Sequence, residues 1–140
     1  MSEIILKDAF ISVNGIDLSA QVTSVTLTLG RNMEDGAAMG DMTEVNVPGI
    51  KTWTVDVEFN QSFDAALVDA TIFPLLDNGT LFALVIRPSG LSAASPTNPE
   101  YTAAQALVAS YPPIAGAHGS IQKASVSFVP GGGDMVRTTA

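Results

Sequence analysis

No cysteine occurs among the 140 residues, so a disulfide framework, a thiolate nucleophile and a thiolate metal site are all excluded. Charge is scarce as well. Only 14% of residues are charged, against about a quarter in ordinary globular domains. That shortage fits a surface partly covered by other chains, or equally a Thr/Ser-rich β surface that is neutral but solvated. The few charges lean one way, fourteen acids against six bases for a net −8. Such a surface repels a phosphate backbone and argues against tight nucleic-acid binding by counterion release, although DNA could still pass close by. No apolar run approaches the roughly 18 residues of a membrane span, and Met1-Ser2-Glu3 opens neither a basic nor a long apolar leader. The expectation is a soluble protein made in a cytoplasm or assembled there.

What is present is an apolar content of 46%, too high for disorder, in a chain long enough for one domain with one core. Its clearest pattern lies in residues 21–59. Val25, Leu27 and Leu29 alternate with Thr26 and Thr28, and the same period returns in Trp53, Val55, Val57 and Phe59. Period two means strands with one buried face each. Between them residues 30–49 carry Met33, Met39 and Met42, the acids Glu34, Asp35, Asp41 and Glu44, and no periodicity. Connections in compact domains usually run about 4–6 residues, so this segment is expected to be a long loop, ordered only by a partner.

Elsewhere, Asn14-Gly15 between apolar residues predicts a small hairpin, preceded by an N-terminal arm. Val68, Ile72, Leu75 and Leu76 form one helical face within residues 64–76. Ser62 or Asp64 is positioned to cap its start, Pro74 lies in its last turn and Asn78-Gly79 supplies a left-handed stop. Residues 81–86 read as a strand buried on both faces, between the sheet and that helix. Tyr101, Ala103, Leu107, Ala109 and Tyr111 predict another strand, and Ala124, Val126 and Phe128 a last one before Gly131 to Gly133 release a polar tail. The sum is a mainly β fold of five to seven strands, a β-sandwich or open β-barrel with one flanking α-helix and a long inter-strand loop.

The chain shows no convergent chemistry. Asp56 and Glu58 share one strand face roughly 6–7 Å apart, a spacing that overlaps an acid/base pair but is commoner on a solvated strand. His118, the one histidine, sits between Ala117 and Gly119 without a nucleophile-elbow motif. Aligning Asp35-Gly36 with the fifth and sixth positions of a calcium loop puts Arg31, Met33 and Met42 where ligands belong. Gly36 and Gly40 lack the Lys-Ser/Thr of a phosphate loop. The expectation is therefore no catalytic, cofactor or metal site. The three methionines instead suit an adaptable contact surface.

A strand ending near Leu29, a long loop, the strand Thr52-Trp53-Thr54-Val55-Asp56-Val57-Glu58-Phe59, a helix and a buried strand follow one another in that order. The run of residues 101–110, the turn at 112–119, the strand Lys123-Ala124-Ser125-Val126-Ser127-Phe128 and a glycine-rich exit complete the series. In this order of elements the chain resembles the tail tube (major tail) proteins of long-tailed bacteriophages, whose fold is shared with contractile tail tubes and the secreted tube protein of type VI systems. The resemblance implies one domain over residues 1–140, with a flexible N-terminal arm, the 30–49 loop and a C-terminal tail. It implies a structural subunit of the virion tail, assembled in the host cytoplasm as stacked, hexameric rings around a bore through which DNA passes without sequence-specific binding. Partners would be further copies and other tail proteins such as an initiator and a terminator, with no membrane. Arg31, Met33, Glu34, Asp35, Met39, Asp41, Met42 and Glu44 become candidates for the subunit interface, and Asp56 and Glu58 for lumen charge. Alternatives are a neck, terminator or capsid-decorating ring protein, or a stand-alone β-sandwich binding module.

Overall fold

A computed structural model describes residues 8–65, 67–90 and 93–139, so most of the expected N-terminal arm, residues 1–7, lies outside the described residues. The described chain forms β1 (Phe10–Val13), β2 (Ile16–Asp17), β3 (Val22–Asp35), β4 (Asn46–Asn60), α1 (Val68–Asn78), β5 (Phe82–Arg87), β6 (Glu100–Ser110), β7 (Lys123–Pro130) and β8 (Met135–Thr138). All eight strands belong to one sheet in the order β2-β1-β5-β6-β7-β4-β3, with β8 on β6, and every named pairing is antiparallel. The sheet curls until Val25 and Leu27 of β3 share a cleft with Ile86 of β5 and Tyr101 of β6. Of the two expected architectures it is therefore the open barrel.

Local chemistry accounts for most of these elements. Asn14 and Gly15 both have positive φ, 52° and 82°, the geometry a two-residue hairpin turn needs to match the strand twist, and Val13 pairs with Ile16 across it. In β4, Trp53, Val55, Val57 and Phe59 are buried while the residues between them face outward. They meet Ala124, Val126 and Phe128 of β7, and the rings of Phe82 and Phe128 pack edge-on 5.8 Å apart.

Helix α1 adds Val68, Ile72 and Leu75 to the same core. It begins later than expected, with Leu67 at the N-cap making no side-chain cap bond, so neither Ser62 nor Asp64 caps it. Gly79 closes it in the left-handed conformation at φ 60°, as the Asn78-Gly79 pair predicts. A polar chain anchors its first turn. Gln61 Nε2 donates to the Tyr111 hydroxyl at 2.8 Å and to the Pro113 carbonyl at 2.7 Å, and the Tyr111 hydroxyl donates to Asp69 at 2.8 Å. Burial pushes the Tyr111 phenol up from 10.0 to about 12; the bond from Gln61 opposes this and the bond to Asp69 adds to it.

Three expectations change. Strand β5 is not buried on both faces: Phe82, Leu84 and Ile86 are buried, Ala83 is exposed and Val85 is half-buried, because α1 packs against β6 and leaves the outer side of β5 uncovered. In β6 the core residues are Ala103, Ala106 and Val108 rather than Leu107 and Ala109. Phe82 pairs with Ala106 but Leu84 with Ala103, so one extra residue on β6 reverses its alternation.

The tail, finally, is a strand. Pro130 pairs with Ala106 and Met135 with Ala103, so β8 continues along the edge of β6 that β7 occupies, after a detour through Gly131 to Gly133. Glycine is favoured there by the positive φ of Gly132, 123°, and by crowding at its neighbours. A Cβ at Gly131 would lie 2.3 Å from a Leu81 methyl and 3.1 Å from Leu107, and one at Gly133 3.3 Å from the Gln105 backbone.

Candidate subunit interface and polar sheet face

The residues expected to form a featureless loop are largely ladder. Strands β3 and β4 stay paired from Val22↔Phe59 out to Asp35↔Asn46, and only residues 36–45 connect them. Residues 30–49 are thus the outer part of a β-hairpin arm and its tip, in place of the expected twenty-residue loop. Among the described residues no third strand joins the arm, since β7 pairs with β4 only from Val55 to Asn60. With both faces in solvent there is no burial to impose alternation on the sequence, which is why the strand signal vanishes after Leu29. An irregularity between Arg31 and Met33 shifts the register. Gly49 sits there, where a Cβ would come within 3.1 Å of the Asn32 carbonyl.

The arm gathers all eight interface candidates. Arg31 lies near its base, donating from Nη1 to the Gly49 carbonyl at 3.1 Å. Met33, Glu34 and Asp35 follow on β3, opposite Pro48, Val47 and Asn46. Met39, Asp41, Met42 and Glu44 occupy the tip, where Asp41 accepts from the Ala38 amide at 2.7 Å and Asp35 from the Ala37 amide at 2.9 Å. These two bonds shape the turn. Met39 and Met42 are 104% and 100% exposed. Leu29, Val47 and Ile50 are also exposed, a set of apolar residues that inspection of the methionines alone misses; their run of contacts becomes legible only with the ladder register.

Asp56 and Glu58 occupy the other candidate surface. Both project from the outer face of the sheet, on the side opposite the core. Asp56 stands between Thr26 and Ser127, and Glu58 between Ser24 and Ser125. Ser127 Oγ donates to Asp56 at 2.6 Å and Thr23 Oγ1 to Glu58 at 2.9 Å, while Lys123 Nζ lies 3.7 Å from Glu58. This face is hydroxyls and carboxylates. A shallow depression lies between Ser24, Thr26, Asp56, Glu58, Ser125 and Ser127. The partners of the two acids among these contacts are hydroxyls and the Lys123 ammonium, with no histidine among them. Among the described residues no cluster of three or more His, Asp or Glu side chains is arranged to hold a metal, and no helix is long and apolar enough to cross a membrane.

Residues 12–140 match the sequence family described as phage tail tube protein. The chain belongs to that family. It is a structural subunit of a tail tube, and its open antiparallel sheet recurs in solved structures of low sequence identity. A chain from the virion of a native gene transfer agent particle aligns with a TM-score of 0.70 at 10% identity, covering 94% of this chain and 96% of that one. A chain from the sheath/tube terminator of the PVC extracellular contractile injection system gives 0.71 at 9% identity, with 99% of each chain covered. Hcp1 from Flavobacterium johnsoniae gives 0.58 at 15% identity, covering 96% of this chain and 100% of its own. Comparison with curated protein sequences finds no match. For this tube subunit, the arm and the polar sheet face are two surfaces that the described residues leave exposed.

Proposed function

We propose that the subunits assemble into hexameric rings that stack into a hollow tube, with the outer face of β3, β4 and β7 turned to the bore. The observation that carries this reading is the sidedness of that sheet. One face supplies Trp53, Val55, Val57, Phe59, Val126 and Phe128 to the core, and the opposite face is built from Ser, Thr, Asp56 and Glu58. A bore lined by hydroxyls and fixed carboxylates repels phosphate and offers no cationic foothold, so DNA slides through without sequence-specific contact. Lys123 is the exception, and its pairing with Glu58 keeps it from acting as a free phosphate ligand.

Strand edges support the same assembly. The side of β3 away from β4 carries no ladder along its 14 residues among the described residues. A long open edge of this kind invites uncontrolled pairing, and closing several subunits into one shared barrel removes it. The arm, with its exposed methionines and acids, is the joint between subunits. Other tail proteins, an initiator at one end and a terminator at the other, complete the assembly in the virion tail.

A terminator ring shares this fold, as the PVC match indicates, so the deciding experiment is electron microscopy of the concentrated purified protein. Stacked rings with a hollow bore are expected. Isolated rings that never stack would favour the terminator reading, and a persistent monomer would overturn both.

A further inference from the structure

Where the arm leaves the body, the sheet splits. β7 stops pairing with β4 at Val55, and the chain turns away through Gly131 to Gly133 into β8. A cleft of about 490 Å³ opens between β4 and this detour, lined by Ile50, Lys51, Trp53, Pro130, Gly133 and Asp134 among others. Its walls are held by two cross-connections. The Trp53 indole N–H donates to the Gly133 carbonyl at 3.2 Å, and Lys51 Nζ meets Asp134 at 2.8 Å. The bond from Lys51 holds the Asp134 carboxyl below its ordinary value, with a smaller contribution from the nearby Arg31 charge. Ile50, 76% exposed, stands at the rim.

We infer that this cleft receives the arm tip of a second copy of the chain, with Met39 or Met42 seated against Ile50 and Pro130 and the tip acids Asp41 and Glu44 facing Arg31 and Lys51. Resting on the tube reading, the inference names the surface that the joint engages.

Three observations select this occupant. The chain's own tip cannot reach the cleft. Asn46 is five residues beyond Lys51, about 17 Å along an extended strand, and the pairs Glu34↔Val47 and Asp35↔Asn46 keep the tip at the far end of that span. Charge is complementary: Arg31, Lys51 and Asp134 leave the rim at net +1, whereas Asp41 and Glu44 make the tip −2. Finally, the apolar groups on both sides lack cover. Met39 and Met42 are fully exposed and Ile50 nearly so, and flexible thioethers adapt to an irregular slot. A contact between the tip of one copy and the base of another, when the second copy passes its own tip on to a third, is heterologous. Such contacts propagate into rings or filaments instead of stopping at a dimer, as a tube requires.

The chain has no cysteine and a single tryptophan, which sits in the cleft, so both the cross-link and the reporter are unambiguous. Met42→Cys protein mixed with Ile50→Cys protein is expected to form a disulfide-linked heterodimer in assembled material, at least tenfold above either variant alone and absent below the assembly concentration. A nitroxide attached at Met42→Cys is expected to remove most of the Trp53 emission on assembly. Rings or tubes that form with no such cross-link and with undiminished Trp53 emission would overturn the cleft while leaving the tube intact. A protein that stays monomeric at every concentration would overturn the tube reading and the cleft with it.

Discussion

The body half and the arm half of β3 and β4 are one continuous ladder in two settings. In the body, Val25 faces Val57 and Leu27 faces Val55, β7 adds a further strand, and the core covers one face. In the arm, Arg31 faces Lys51 and Glu34 faces Val47, no third strand is present among the described residues, and both faces are in solvent. Backbone pairing is enough to define the shape of a hairpin, but a two-stranded hairpin is marginal by itself in water. Buried apolar contact in this molecule lies in the body, and the arm adds none to the core. Under the proposed assembly a tube subunit gains from that division, because an arm that joins copies could adjust without disturbing the fold.

The sharpest way to break the contrast is to damage the body. Phe59→Ala, at a fully buried position, is expected to cost about 3–5 kcal/mol through lost burial and a residual cavity, measured by urea unfolding of the monomer. A loss below about 1 kcal/mol would mean that the core is not organised around this ring.

Tyr111→Phe tests a polar contact of the body, with an expected loss of about 1 kcal/mol. Its signature is pH dependence. The phenol is raised to about 12 in the fold from 10.0, so the folded form holds its proton where the unfolded form has lost it. The contribution is complete below pH 10 and is lost as pH rises toward 12. The wild-type protein should therefore lose stability over that interval and the Phe variant should show a flatter profile; parallel profiles would assign the effect elsewhere.

The smallest effect on folding and the largest on assembly should come from the arm. Replacing residues 36–45 by Asn-Gly is expected to leave unfolding stability within about 0.5 kcal/mol while abolishing rings and tubes in micrographs. In the monomer, arm amides should exchange much faster than those of Val55 and Val57, and gain protection on assembly. Strong protection of the arm in an isolated monomer would remove the case that its order depends on a partner.

How legible each part was follows the same division. The strand from Trp53 to Phe59, the strand from Ala124 to Phe128, the Asn14-Gly15 turn and the Gly79 helix stop are readable because one face is buried or one residue must take positive φ. The arm ladder is not, since Met33, Glu34, Pro48 and Gly49 carry no period. The phase of β6 hides behind an extra residue near Gln105, and β8 behind three glycines that look like an exit. Asp56 and Glu58 are legible as neighbours on one face; that Ser127, Thr23 and Lys123 hold them depends on strand order.

By itself, then, the sequence determines which residues seek burial and where the chain turns, because those preferences are local: period two, a helical face, positive φ at Asn14, Gly15 and Gly79. Tertiary structure alone decides which strands lie side by side, that β8 returns to β6, and that the sheet splits above Trp53 into an arm and a cleft. Those outcomes rest on pairing between residues as distant as Glu100 and Thr138 or Trp53 and Gly133, and no local pattern encodes which edge a strand will find.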